Sequence, residues 1–465
     1  MEIRTHDEFD IDGGIAIEKL RRFGKDKIPG IENAKMVFNE GNASDIPKEN
    51  VVFVDICPNG VTADPKRNIR IYDHHPHDQW PGETSSSLVD KFLEFPDLKN
   101  LELIKWAFSV KDTTDDDEVA KEIRSLYDEL DLKNLELTRW AFRGDFQSGG
   151  DSMNIANIIK NMHLLYEDEE VYQWFSTIVE AHFQVKEVDF QKGIEFFKRT
   201  LEKFLSENKG SPAEVLLNQW LARTEKAIED KMNIVHRTIV NLSIYGPEKT
   251  EQWLIPVFKS IEEDQRQFKE AEEDFNKADK LLAGKRVVVA GESKNRAFNR
   301  YCRSAVAKAK MPRPLNEKED PIVVQFQPGN KGFQIFTNSG GYRLFDIAGA
   351  LRIEILRARN KEIPRDWQTL KAGGKLPGTE PFYYQVGEYE VLLWGSPKHP
   401  NVPLLDIPKE LVVRVVTVAV DQEYFPKDCQ KSKECLRYKC EFHPWMLWRC
   451  YKKRQQNRRP SILNA

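Results

Sequence analysis

Cysteine is scarce in this chain of 465 residues, which contains six, and four of these lie beyond residue 428. We therefore expect no framework of disulfide bonds. No run of apolar residues approaches the ~20 that a membrane-spanning helix requires. The first ten residues also lack the basic and apolar regions of a secretory signal peptide, so we expect a cytoplasmic protein that makes no membrane contact.

Strong overall charge is also absent, because the net charge is only −4, and this value excludes nothing about nucleic-acid binding. The charge is distributed unevenly, however. Residues 427–465 contain 11 Lys and Arg residues and three acidic residues, so this segment carries +8 and the rest of the chain −12. With 40% hydrophobic and 31% charged residues, the composition is typical of a folded globular protein and excludes collagen and low-complexity disorder.

Segments typical of strands and of helices alternate along the first part of the chain. Residues 51–54 and 69–72 are short and rich in β-branched residues, and segments with helical spacing flank them. This alternation predicts an α/β fold with a parallel sheet. Helical spacing then continues to about residue 284, where strand-like runs return. We predict a parallel-sheet domain (1–165), a long helical segment (166–284), a second, smaller α/β domain (285–420) and a short Cys/His-rich tail (421–465).

Three local patterns add detail to this organisation. Residues 97–108 recur almost unchanged at 131–142. Two copies are too few for a solenoid, so we predict a duplicated helix with a structural role. Residues 322–326 and 333–337 predict a β-hairpin. The β-prone run at 411–420 predicts a further strand at the end of the second α/β domain.

Acidic residues and histidines cluster where the strands of the first domain should end. Four of the nine histidines are at positions 6, 74, 75 and 77. Because parallel strands end at the same rim of a sheet, Asp10, Asp55 and Asp73 should meet there. Carboxylate oxygens and imidazole nitrogens suit Mn²⁺, and crowded carboxylates require cations to offset their repulsion. Any one of these residues, taken alone, could instead cap a helix or face solvent.

This arrangement resembles the motifs of the DHH phosphoesterase superfamily, which is RecJ-like. His6, Asp10 and Asp12 match its first motif and Asp55 matches its second, while residues 73–75 (Asp-His-His) match the motif that names it. The fourth motif should be a later Asp. Asp145 is the preferred candidate, and Asp112 is its rival because each follows one copy of the duplicated helix.

Within the superfamily, the chain is most similar to the exonucleases of the melanocyte-proliferating-gene type. The similarity lies in residues 82–89, which begin a Ser-rich helix, and in residues 363–370 and 376–382. It implies two Mn²⁺ ions (or Mg²⁺ or Co²⁺) bridged by Asp55. The other ligands would be His6 and Asp10 for one ion, and Asp12, His74 and Asp145 for the other. Asp73 would orient a ligand histidine, and His75 would act as a donor or acid beside the substrate phosphate.

Two basic regions could contact the substrate. In the second α/β domain the candidates are Arg352, Arg357, Lys371 and Lys375, since Arg and Lys bind phosphate, although a basic helix face can simply be solvated. The tail offers five possible ligands for one structural Zn²⁺, one more than a tetrahedral site needs. They are Cys429, Cys435, Cys440, His443 and Cys450. An unmetallated basic tail is the alternative, and its aromatic residues would suit stacking on single-stranded nucleic acid.

These observations predict a metal-dependent phosphodiesterase or exonuclease that acts on single-stranded nucleic acid or short oligonucleotides by a two-metal mechanism. A second possibility is a hydrolase of small phosphates, such as a cyclic dinucleotide, nanoRNA, pyrophosphate or polyphosphate. A third is a non-catalytic sensor of nucleic acid or nucleotides that keeps the DHH scaffold.

Overall fold

The computed structural model describes residues 1–38, 46–56, 61–74, 83–109, 117–147, 153–207, 209–210, 212–316, 318–338, 344–364, 366–386, 389–394 and 404–421. The chain divides into two compact units, Met1–Asp264 and Gln265–Ala465. The protein has an α/β fold, with one sheet described in each unit. In the part of the chain described, no helix combines the length and the apolar character needed to cross a membrane.

The sheet of the first unit has four strands, all parallel, which confirms the predicted parallel sheet. The strands are β1 (Glu2–Thr5), β2 (Lys35–Phe38), β3 (Val51–Val54) and β4 (Ile69–Tyr72), in the order β2-β1-β3-β4. All four residues of β3 are buried, which explains its uninterrupted apolar sequence. Strands β1 and β3 are parallel neighbours, so their carboxyl ends are adjacent at one rim of the sheet.

The other described elements of the first unit are mostly α-helices. They are α1 (Ile11–Phe23), α2 (Ser85–Leu93), α3 (Leu101–Ser109), α4 (Asp117–Leu126), α5 (Glu129–Gln147), α6 (Ile155–Met162), α7 (Asp168–Gln184), α8 (Glu187–Glu207), α9 (Pro212–Glu229) and most of α10 (Ile234–Lys277), which continues past the end of the unit at Asp264. Helix α10 is broken at Gly246, which has a φ of 75° and is followed by Pro247. Proline has no N–H to continue the helical hydrogen bonds, and glycine tolerates the left-handed φ at the break.

The duplicated segment forms two helices, α3 and α5, that pack against each other in a self-complementary way. Glu102 of α3 accepts a hydrogen bond from Arg139 of α5 at 2.7 Å, and Lys105 of α3 lies 3.8 Å from Glu136 of α5. In the repeat, Glu102 is equivalent to Glu136, and Lys105 to Arg139. The two ion pairs are therefore related by a local pseudo-twofold axis, as in an isologous interface.

The second unit contains a mixed sheet of seven strands. They are β5 (Asp279–Ala283), β6 (Arg286–Glu292), β7 (Ile322–Phe326), β8 (Phe333–Asn338), β9 (Gly374–Lys375), β10 (Phe382–Gln385) and β11 (Tyr389–Trp394), in the order β5-β6-β7-β8-β11-β10-β9. Among the described strands of this sheet, β6 and β7 pair parallel and the other pairs are antiparallel. Strands β7 and β8 pair antiparallel, which confirms the predicted hairpin.

The helices of the second unit are α11 (Phe298–Cys302), α12 (Ala305–Ala309), α13 (Phe345–Ala358), α14 (Trp367–Lys371) and α15 (Lys409–Val420). The prediction of a strand at 411–420 is wrong, because these residues belong to α15. Val412, Val415, Val416 and Ala419 are buried, a spacing of three and four residues that places them on one helix face. Burial of that face outweighs the weak strand preference of β-branched residues.

Candidate metal centre

The loop between β1 and α1 carries the first candidate ligands, His6 and Asp10. Asp10 is the N-cap of α1, and its Oδ1 accepts hydrogen bonds from the backbone N–H groups of Asp12 (2.8 Å) and Gly13 (3.1 Å). This cap uses one carboxylate oxygen and fixes the direction of the side chain. The Nδ1 atom of His6 lies 2.8 Å from the carbonyl oxygen of Asp7. That bond assigns the proton to Nδ1 and leaves Nε2 as the ligand nitrogen.

Two residues far along the chain hold this loop in place. His163, which follows α6, contacts the carbonyl oxygen of Phe9 through Nε2 at 2.9 Å. Asp168, at the start of α7, accepts a hydrogen bond from the backbone N–H of Glu8 at 3.1 Å. The loop is thus fixed on the helical part of the unit. Neither residue was predicted, because nothing in the local sequence links them to positions more than 150 residues earlier.

Asp55 lies directly after β3 and occupies the middle of the site. Its φ of 58° is left-handed, and its N–H still donates to the carbonyl of Tyr72 at 2.9 Å, which anchors it to the sheet. One carboxylate oxygen, Oδ2, is 3.1 Å from Nε2 of His6, and the other, Oδ1, is 3.2 Å from Nε2 of His74. Asp55 therefore faces one histidine with each oxygen, as a bridging carboxylate would.

The start of α2 supports both Asp12 and Asp55. The backbone N–H groups of Ser85 and Ser86 donate to Asp12 at 2.6 and 2.8 Å, and the Ser85 hydroxyl donates to Oδ1 of Asp55 at 3.1 Å. The helix begins at a capping box between Thr84 and Ser87. The Ser-rich segment marked this helix start in the sequence, but its role in holding the two aspartates emerges only from the structure. The positive end of the helix partly offsets their charge.

Burial and charge perturb the pKa values of the site in a consistent pattern. Burial, and next the negative charge of Asp55, raise the pKa of Asp12 to about 7. Burial alone would lower the pKa of both histidines, but the hydrogen bond and charge of Asp55 raise the pKa of His6 to about 10 and that of His74 to about 9. The excess negative charge is thus balanced by protons. A divalent cation supplies the same positive charge, and its binding would release those protons.

The candidate ligands form two adjoining groups, His6–Asp10–Asp55 and Asp12–Asp55–His74, which share Asp55. Within each group the donor atoms lie within 4.8 Å of one another. Donors at ~2.1 Å from one ion are at most ~4.2 Å apart, so small side-chain shifts would complete either site. The buried group Asp12–Asp55–His74 and the partly buried group His6–Asp10–Asp55 could thus each hold a metal ion, as predicted.

The remaining predicted residues of the first domain differ in how far the structure describes them. Asp73 is buried directly after β4 but belongs to neither donor group. Asp145 lies within α5, where only its backbone is described, and His75 and Asp112 lie outside the described residues.

The close packing of Gly144 against α1 indicates where the backbone of the next residue, Asp145, lies. A Cβ atom on Gly144 would overlap Cγ2 of Ile11, the first residue of α1. This close approach brings that part of α5 beside the N-terminal turn of α1, which carries Asp10 and Asp12.

The predicted substrate residues of the second unit have partners of their own. Arg352 is 1% exposed and donates to the carbonyl oxygens of residues 370, 372 and 374 at 2.6–2.9 Å, so its guanidinium stabilises a loop. Arg357 pairs with Glu354 at 2.7 Å, and Lys371 pairs with Asp346. Lys375 is exposed in β9. Substrate contact by these residues stays a prediction, and the five candidate zinc ligands lie outside the described residues.

No protein-family model matches this chain, and no curated protein matches it. Inference about function therefore depends on the geometry of the metal centre and on the motifs that form it.

Proposed function

We propose that this protein is a metal-dependent phosphoesterase of the DHH type that hydrolyses phosphodiester bonds in single-stranded nucleic acid or short oligonucleotides. The observation that carries the proposal is the position of Asp55. It faces His6 with one oxygen and His74 with the other, and each histidine belongs to a donor group with a further aspartate. Two adjoining cation sites that share a carboxylate are typical of enzymes that displace groups at phosphorus.

The residues of this chain would hold two ions, with His6, Asp10 and Asp55 at one and Asp12, Asp55 and His74 at the other. When bound, such ions lower the pKa of coordinated water and neutralise charge on the phosphoryl group. The protein's part is to keep the ligands in fixed positions. Ser85 and Ser86 orient Asp12, and the contacts of His163 and Asp168 orient the loop of His6.

Asp145 is the better candidate for the fourth motif. The tight packing of Gly144 against Ile11 favours it, because that contact brings residue 145 close to the turn that carries Asp10 and Asp12. His75 is expected to face the substrate phosphate and to donate a hydrogen bond or a proton to it. Strand binding is expected to involve the basic, aromatic tail.

The test is an assay of the purified full chain with Mn²⁺ and oligonucleotides labelled at the 3′ or the 5′ end. Replacement of Asp55 by Asn keeps the shape of the side chain but removes the shared charge. We expect it to lower turnover on the order of 10²–10³-fold or more. Asp26→Asn, a matched change at an exposed residue of the same unit, should leave turnover unaltered.

Each other outcome of this assay has a definite meaning. Turnover of small phosphates alone would make the protein a small-phosphate hydrolase. Metal binding without turnover of any substrate would favour a sensor. An Asp55→Asn variant as active as the parent chain would overturn the proposal.

A further inference from the structure

A buried arginine away from the metal centre lacks the partners that its charge requires. Arg237, in α10, is 1% exposed, and its Nε and Nη1 have no hydrogen-bond partner among the residues that the structure describes. Its Cζ lies 4.2 Å from the centroid of the Trp140 ring, so the guanidinium stacks on the indole. Buried donors of a charged group are costly to leave without acceptors, so they point to a partner such as water or an anion.

The charges of two carboxylates, Glu136 and Asp230, act on Arg237. Three other cations pair with these carboxylates, and the side chains of Lys105, Arg143 and Lys231 are 32%, 33% and 39% exposed. Lys105 and Lys231 pair with Glu136, and Arg143 lies 3.3 Å from Asp230. Glu136 and Asp230 therefore already have cationic partners besides Arg237. We call Lys105, Arg143, Lys231 and Arg237 the Arg237 cluster.

Two buried histidines near Arg237 do not compensate its charge. His182 contacts the carbonyl oxygen of Lys133 at 3.0 Å, and His236 contacts that of Ala227 at 3.0 Å. Burial and the charge of Arg237 hold the pKa of both histidines well below the usual range, so they are neutral. Burial also lowers the pKa of Arg237 to about 9, although Glu136 and Asp230 act against this shift. What is missing among the described residues is an acceptor for Nε and Nη1 of Arg237.

We propose that the Arg237 cluster binds an oxyanion of the phosphate class, free or as the phosphate group of a nucleotide. The buried guanidinium would donate to its oxygens at the base of the site, with Trp140 supporting the flat face. The three half-exposed cations would attract the anion from solvent. This site uses none of the predicted metal ligands, and the proposal does not depend on the catalytic function of the chain.

The test is a calorimetric titration of the full chain with sodium phosphate at pH 7.5, after metal has been removed with EDTA. A titration with sodium chloride at equal ionic strength is the control. We expect one saturable phosphate site. Arg237→Met removes the donors but keeps an unbranched side chain over Trp140. It should weaken binding roughly 10- to 100-fold, the range for a hydrogen bond to a charged group. Lys231→Met should weaken it less, and Arg199→Met, at a 77% exposed side chain of α8, should have no effect.

The opposite results would overturn the proposal. The first is that the parent chain shows no saturable phosphate binding, and the second is that Arg237→Met binds phosphate equally well. Either result would mean that buried water, not an anion, accepts the hydrogen bonds of Nε and Nη1. If Arg237→Met fails to fold, the Lys231→Met and Lys105→Met variants decide the question, since unaltered affinity in both contradicts the proposed site. Because binding rather than turnover is measured, either result leaves the proposed phosphoesterase function unaffected.

Discussion

Replacement of Gly144 by Ala tests how closely α5 must approach α1. In an isolated helix this change would stabilise by about 1 kcal/mol, because Ala is the better helix former. Here the added methyl group would overlap Cγ2 of Ile11 and lie 3.4 Å from its Cβ, so one helix must move. Overpacking of a well-filled core typically costs about 1–3 kcal/mol. We therefore expect a net loss of up to about 2 kcal/mol in the free energy of unfolding.

The same displacement should impair the metal centre, since the first turn of α1 carries Asp10 and Asp12. A misplacement of about 1 Å can lower catalytic rates on the order of 10²-fold. Urea unfolding and turnover with Mn²⁺ measure the two effects. Ile11→Ala serves as the control, because it removes the clashing methyl group, and a double-mutant cycle should show recovery of stability relative to the sum of the single changes. A Gly144→Ala variant that is more stable and fully active would refute the reasoning.

Three further predictions concern other parts of the chain. His182 and His236 are kept neutral in the folded protein, so each contributes stability that is present above the unfolded pKa of about 6.5 and is lost as the pH falls. Between pH 6.5 and 5, each histidine should increase the slope of the unfolding free energy against pH by as much as about 1.4 kcal/mol per pH unit. His182→Gln and His236→Gln should each reduce that slope, and an unaltered slope would contradict the neutral state of the two histidines. Deletion of residues 97–130 removes α3 and exposes the face of α5 that packs against it. Because this face is self-complementary, light scattering should detect a homodimer, and Arg139→Glu should abolish that dimer. A monomeric deletion variant would argue against the pseudo-twofold packing. Deletion of residues 421–465 should spare turnover of small phosphates and reduce the salt dependence of long-strand cleavage, whereas unchanged salt dependence would exclude the tail from strand binding.

The metal centre could be predicted largely because its ligands come from strand ends. In a parallel sheet the polarity of the strands alone brings His6, Asp55 and His74 to one rim, however far apart they are in the chain. The structure brings together the two predicted donor groups in the described residues. The contacts of His163 and Asp168 with the His6 loop could not be predicted in the same way, because they depend on how the helices pack.

The error at residues 411–420 has a different physical origin. Six of these ten residues are Val, and their intrinsic preference favours a strand although their spacing is helical. The burial of Val412, Val415 and Val416 shows that the helical period was present in the sequence. The burial of Arg352 against three carbonyl groups could likewise not be read from the sequence, because it depends on the path of the loop at residues 370–374.

The most direct test of the central claim is a titration of the metal-stripped full chain with Mn²⁺, followed by electron paramagnetic resonance. If Asp55 bridges two ions, the spectrum at saturation should show two Mn²⁺ per chain with magnetic coupling between them. Asp55→Asn should abolish that coupling and weaken binding, while Asp26→Asn should behave as the parent chain. One uncoupled ion per chain, or a coupled pair that persists in Asp55→Asn, would contradict the account.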